Sequence, residues 1–254
     1  MRSKNRITYE NRMLHHLADL ELVDVFNTLN AEEKLVSEDS STLFAKLQRD
    51  KHPVLSGRKN VRRNRELAIY HLRQTVYSAF IKEIYEELYR FLKSTIFEAV
   101  QNLKVDPDRL LGEQKINLSA KEILKLSNIT AVNEKIIDTL FQALEAEQST
   151  IKLITKTRDK LGLQFDDCLI NEALPYLELR HKLVHADGKL DADFRSKYPM
   201  IPCTTKGNAN LRYTMMQEAY EKITALVVAI DEDALKKRLV NNAYAKKDSA
   251  ETSK

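Results

Sequence analysis

Between Asn60 and Asn102 the chain contains neither glycine nor proline, and apolar side chains recur there at helical spacing. Leu67, Leu72, Val76, Phe80, Ile84, Leu88, Phe91, Leu92 and Ile96 form one stripe, the pattern of a single amphipathic helix. Forty helical residues at about 1.5 Å each would span about 60 Å. That is long for one globular domain, so the pattern predicts a kink or break within it. Composition points the same way. Only five glycines and five prolines occur in 254 residues, and sheet-rich folds draw heavily on both for their turns. The expected class is all-α.

Other segments follow the same period. Residues 8–29 place Met13, Leu17, Leu20, Val25 and Leu29 at helical intervals, while Asp39-Ser40-Ser41 offers a cap for a short helix over Thr42–Arg49. Pro53 and Gly57 mark a break. Residues 1–57 are therefore expected as an N-terminal helical extension, 58–240 as the main bundle, and 241–254 as a disordered charged tail. Within the bundle, Asp106-Pro107 and Gly112 punctuate the chain, and Ser119-Ala-Lys-Glu122 has the capping-box pattern. Helices are predicted from about Val132, over Ser149–Leu161 with a stop at Gly162, and from Asp166-Asp167 to Asp187-Gly188 with a bend at Pro175. A polar connector, Lys189 to Asn210, then leads to a last helix over Leu211–Leu239.

The formal net charge of +4 is mild. Two cysteines, Cys168 and Cys203, lack C-x-x-C spacing and form no disulfide framework, which suits a reducing compartment. The basic N-terminus has no apolar signal core behind it. No run approaches the roughly 20 apolar residues of a membrane span. The expectation is a soluble, cytoplasmic protein without membrane contact.

One short stretch is chemically distinctive: Glu178-Leu179-Arg180-His181-Lys182-Leu183-Val184-His185-Ala186-Asp187-Gly188. It resembles the signature of the HEPN superfamily, in which an arginine, a polar residue, three further residues and a histidine close a helix of a four-helix bundle. Arg180 and His185 take the signature positions, and His181 is the polar residue after the arginine. Glu66-Leu-Ala-Ile-Tyr70 through Leu88 is similar to the long first helix of RiboL-PSP-type members, and Asn133–Phe141 to their middle segment. The resemblance covers roughly residues 60–235. It implies an HEPN-like bundle with a four-helix core, and a metal-independent endoribonuclease acting as a homodimer, as a toxin or phage-defence effector with an antitoxin or regulatory protein as partner.

The residue types suit that chemistry. RNA carries its own nucleophile, the 2′-hydroxyl beside the scissile phosphate. A histidine, with its usual pKa near 6.5, exchanges protons at neutral pH. An arginine fork pairs with phosphate oxygens. No metal and no cofactor is needed. The resemblance assigns phosphate binding to Arg180, proton transfer to His185 and support to His181. Five residues on an ideal helix turn through about 140°, so Arg180 and His185 would not share a face. A fraying last turn at Asp187-Gly188 would relax this, and a dimer would bring two such motifs to one cleft.

Rival readings stay open. Arg180, His181, Lys182 and His185 also suit a helix C-terminus, where the helix dipole favours cations. His181 and His185, at i and i+4, form a pair able to ligate zinc, but Lys182 stands where H-E-x-x-H needs glutamate. The run Arg58-Lys59-Asn60-Val61-Arg62-Arg63-Asn64-Arg65 reads either as an RNA-backbone contact or as a solvated surface. Lys182 is a further candidate RNA contact. Tyr70, Tyr77, Tyr85 and Tyr89 read more simply as a core or dimer-facing stripe than as a stacking platform for bases. Against the nuclease stands a different class, a non-catalytic HEPN bundle that binds RNA or protein. Nucleotide transfer ranks last, since no Gly-rich phosphate loop or paired-carboxylate motif occurs.

Overall fold

The computed structural model describes residues 1–32, 48, 50–56, 62–112, 116–126, 128–146 and 149–244. The expected cap Asp39-Ser40-Ser41, nearly all of the helix expected over Thr42–Arg49, and the tail after Tyr244 lie outside these residues. Among those described, every regular element is an α-helix, and extended pairing is confined to isolated bridges. The chain is all-α. No helix of the described residues is long and apolar enough to cross a membrane.

The helices are α1 (Lys4–Ala31), α2 (Pro53–Ser56), α3 (Arg62–Gln101), α4 (Pro107–Leu111), α5 (Ala120–Lys125), α6 (Ile129–Ala146), α7 (Thr150–Leu161), α8 (Asp167–His185), α9 (Ala192–Lys197) and α10 (Tyr213–Lys236). Local signals account for many of the ends. Ser119 and Glu122 form the reciprocal capping box that starts α5. Ser149 caps α7, and Gly162, at φ 63°, stops it. The break expected in α3 is not found: it is one uninterrupted helix of 40 residues, because nothing in it interrupts the hydrogen-bond ladder. Pro175 lies inside α8, which continues past it. Its missing N–H deprives the Asn171 carbonyl of a donor, and Asn171 is exposed, where water can serve instead.

The described residues form two compact units, each assembled from separate stretches of chain. The first takes its residues from Met1–Arg12, Ile84–Leu179 and Ala219–Lys254, and the second from Met13–Glu83 and Arg180–Glu218. In the first, Ile84, Leu92 and Ile96 of α3, Leu140 and Phe141 of α6, Ile154 of α7, Leu177 of α8 and Leu226 of α10 are fully buried. Burial of such a side chain stabilises by about 1.5–3 kcal/mol.

In the second unit, Met13 and Leu20 of α1, Tyr77 and Ile81 of α3, and Met216 of α10 are fully buried. Burial pushes the Tyr77 hydroxyl up to about 12. This core also takes in the segment expected as a polar connector: Leu190, Phe194, Tyr198 and Ile201 are all buried. Asp191 caps α9 by accepting from the Phe194 N–H at 2.8 Å. Backbone bonds from Leu190 N to Gly207 O and from Ala209 N to Gly188 O, at 2.9 and 2.8 Å, tie the rest of the segment together.

Candidate active site

The motif lies in the last turns of α8, and its position follows from how that helix stops. His185 is the last helical residue, so the helix does not fray before it. Lys189 N donates to Ala186 O at 2.9 Å, closing a turn whose central residues, Asp187 and Gly188, have φ of 49° and 75°. Positive φ at both centres is what primed turns demand, and Asp-Gly is a favoured pair for them. Gly188 N also donates to Lys182 O at 2.9 Å, giving one of the last carbonyls of the helix a partner.

All the motif side chains belong to the second unit, and they differ in setting. His181 and His185 are exposed, one turn apart, with ring centroids 4.6 Å apart and planes tilted by 48°. Arg180 is half-buried. With the helix intact through His185, Arg180 and His185 stay about 140° apart around its axis. The structure thus pairs the two imidazoles, while the signature arginine and histidine diverge within one chain. Lys182 is engaged elsewhere. It forms an ion pair with Asp191 and lies 5.8 Å from the centroid of the Phe194 ring. That pair, with help from the Phe194 N–H, holds the Asp191 carboxyl below the usual aspartate range. Lys182 therefore braces the end of α8 to the start of α9.

Only part of the basic run is described. Arg58 and Lys59 lie outside the described residues, Arg62 and Arg65 fall in the first turn of α3, and Arg63 there is exposed. The tyrosines divide: Tyr77 is core, Tyr70 is 40% exposed, and Tyr85 and Tyr89 are half-buried. Tyr89 meets Phe141 edge-on at 5.3 Å. As for metal, His181 and His185 supply two imidazoles, and no third His, Cys, Asp or Glu among the described residues joins them at ligand distance. Both cysteines are free and exposed. Glu172 beside Cys168 raises that thiol and disfavours a reactive thiolate.

An open groove of about 610 Å³ adjoins the motif within the same unit. The end of α8 contributes Leu183, Asp187 and Gly188, and the facing wall is a polar stripe of α3: His71, Gln74, Ser78 and Lys82. Gln74 Nε2 donates to the Leu211 carbonyl at 3.2 Å, fixing that wall to the chain before α10. None of these four residues stands out as a candidate in the sequence. The available signal was their near-fourfold spacing on a face away from the apolar stripe. Comparisons with protein families, curated proteins and solved structures give no match for this chain.

Proposed function

We propose that this protein is a metal-independent endoribonuclease of HEPN type, acting as a homodimer through Arg180 and His185 with His181 in support. The observation that supports this most is the pair of exposed imidazoles at the intact end of α8, directly after Arg180. In the proposed reaction the 2′-oxygen of RNA attacks the adjacent phosphorus as its proton passes to an imidazole. The bond from phosphorus to the 5′-oxygen breaks, and that oxygen takes up a proton. The products are a 2′,3′-cyclic phosphate and a 5′-hydroxyl end. Arg180 binds the phosphate oxygens as charge builds on them. The angular separation of Arg180 and His185 is a reason for the dimer, because a second copy supplies what one face lacks. By resemblance the biological role is that of a toxin or defence effector held in check by a regulatory partner. Lys182 has a structural partner in Asp191 and keeps only a secondary role in RNA contact.

The second reading is a non-catalytic bundle that binds RNA or protein. The same angular separation favours it, if no second copy completes the site. The deciding experiment is incubation of cellular RNA with the full chain in EDTA, beside His185→Ala. Cleavage by the parent alone supports the nuclease. A folded parent protein that binds RNA and leaves it intact supports the second reading.

A further inference from the structure

The first unit holds a second concave site, far along the chain from the motif. Its cavity of about 700 Å³ is bounded by Asn102, Lys104, Leu235, Lys236, Arg238 and Val240. That volume lies within the range of small-molecule sites. We infer that this cavity binds a small polyanion carrying a chain of phosphate groups.

Three observations carry the inference. The first is charge. Lys104, Lys236 and Arg238 all line this one concavity, and none of them has an ion-pair partner among the described residues. The one carboxylate in the lining, Glu232, lies 4.0 Å from Arg6. Helix C-termini do attract cations, which explains why Lys236 is tolerated at the end of α10. It does not explain the second observation.

The second observation is backbone. α10 ends with Arg238 N donating to Leu235 O at 3.0 Å and Leu239 N to Ala234 O at 2.9 Å, the two bonds of a Schellman stop. The left-handed position of that stop is occupied by Arg238 itself, at φ 55°. Glycine takes this conformation without steric cost and a side chain does not. Such strain is found at ligand clamps among other places; Leu103 takes the same conformation at the end of α3, so the cost counts here only together with the place of Arg238 in the cavity lining.

The third observation is rigidity. Asn102 Nδ2 donates to Leu239 O at 2.9 Å, and Asn241 N donates to Glu98 Oε1 at 2.7 Å. Glu98 is held in turn by Asn5 at 2.9 Å. The chain that carries Arg238 is therefore pinned to the end of α3 before any ligand arrives, which lowers the ordering cost of binding. Phosphate oxygens suit a lining that carries three cations, and Arg238 adds a planar fork. Leu235 and Val240 leave an apolar shelf for any attached group.

The test is calorimetric titration of the full chain in EDTA with sodium tripolyphosphate, ATP and adenosine, with melting temperatures taken alongside. Tripolyphosphate and ATP are expected to bind and raise the melting temperature, while adenosine does neither. Equal affinities would mean that the phosphate chain alone is read. Tighter ATP would mean that the shelf also holds the base. Either result supports the site. Arg238→Gly is the informative variant, because it relieves the strained backbone while removing the guanidinium. It should melt roughly 2–4 °C higher yet bind tripolyphosphate about tenfold or more weakly. Lys104→Ala should weaken binding in the same direction. The inference is overturned if neither phosphate compound binds, if adenosine binds as tightly as ATP, or if both variants bind like the parent.

Discussion

The ends of α8 and α10 both carry clustered cations, and they are built in opposite ways. At α8 the left-handed positions fall to Asp187 and Gly188, which tolerate them, and Lys182 is matched by Asp191. The imidazoles of His181 and His185 are exposed, one turn apart on the helix. At α10 the left-handed position falls to an arginine, and Lys236 and Arg238 line a concavity with no carboxylate matched to them. Cations at a helix end are thus an ambiguous signal. Charge pairing and a concave setting distinguish the two ends; backbone cost alone does not, since Leu103 carries it at the end of α3 as well.

The largest effect that sharpens this comparison belongs to the α8 end. Arg180→Ala and His185→Ala should each slow RNA cleavage about 10²–10⁴-fold, measured as single-turnover rates. The corresponding change at α10, Lys236→Ala, should leave that rate unchanged. Next in size is the brace beneath α8. Phe194 is buried under Lys182, and Phe194→Ala should lower stability by about 3–5 kcal/mol in urea unfolding. A loss near zero would show that the 189–210 segment is not part of the second unit's core.

Backbone changes should act with opposite signs at different helix ends. Gly188→Ala forces a side chain into φ 75°, with the new Cβ 3.4 Å from Leu183 Cδ2, and should cost about 1–2 kcal/mol. Leu103→Gly, at φ 52° and 87% exposed at the end of α3, should instead stabilise by up to about 1 kcal/mol. Equal responses would dissolve the distinction drawn from strain.

The smallest effect is a pH dependence on α10. Asp231 is buried, which raises its carboxyl pKa even though the Ser3 N–H at 3.3 Å and Arg6 favour the charged form. A raised folded value means that the native state prefers the protonated carboxyl. Its contribution is fullest below the ordinary aspartate pKa, about 3.9, and is lost as pH rises through the folded value. Asp231→Asn should therefore be at least as stable as the parent at pH 7, with any advantage fading below about pH 4. A variant that is weaker at pH 7 than at pH 4, relative to the parent, would contradict this.

Much of this fold is legible locally. The apolar stripe from Leu67 to Ile96, the Ser119–Glu122 box and the stop at Gly162 each act within a few residues of chain. The break expected in α3 came from its length alone, and length carries no physical cause for a kink. Leu190, Phe194, Tyr198 and Ile201 do keep helical spacing, but Pro199, Pro202 and Gly207 nearby made the segment read as loop. At the candidate site, the i,i+4 pairing of His181 with His185 and the divergence of Arg180 from His185 follow from helix geometry. The Lys182–Asp191 pair does not, since the intervening turn decides it. The cavity beside Arg238 was beyond reach because Lys104 and Arg238 stand far apart in sequence.

The central claim is that RNA's own 2′-hydroxyl is the nucleophile and that Arg180 and His185 assist it. Its most direct test uses an RNA oligonucleotide with one cleavage site, beside the same strand carrying a single 2′-deoxy residue there, both in EDTA. The account predicts a 2′,3′-cyclic phosphate end from the first and no cleavage at that site in the second. Cleavage of the 2′-deoxy strand at the same bond, or intact RNA from a folded dimer, would contradict it.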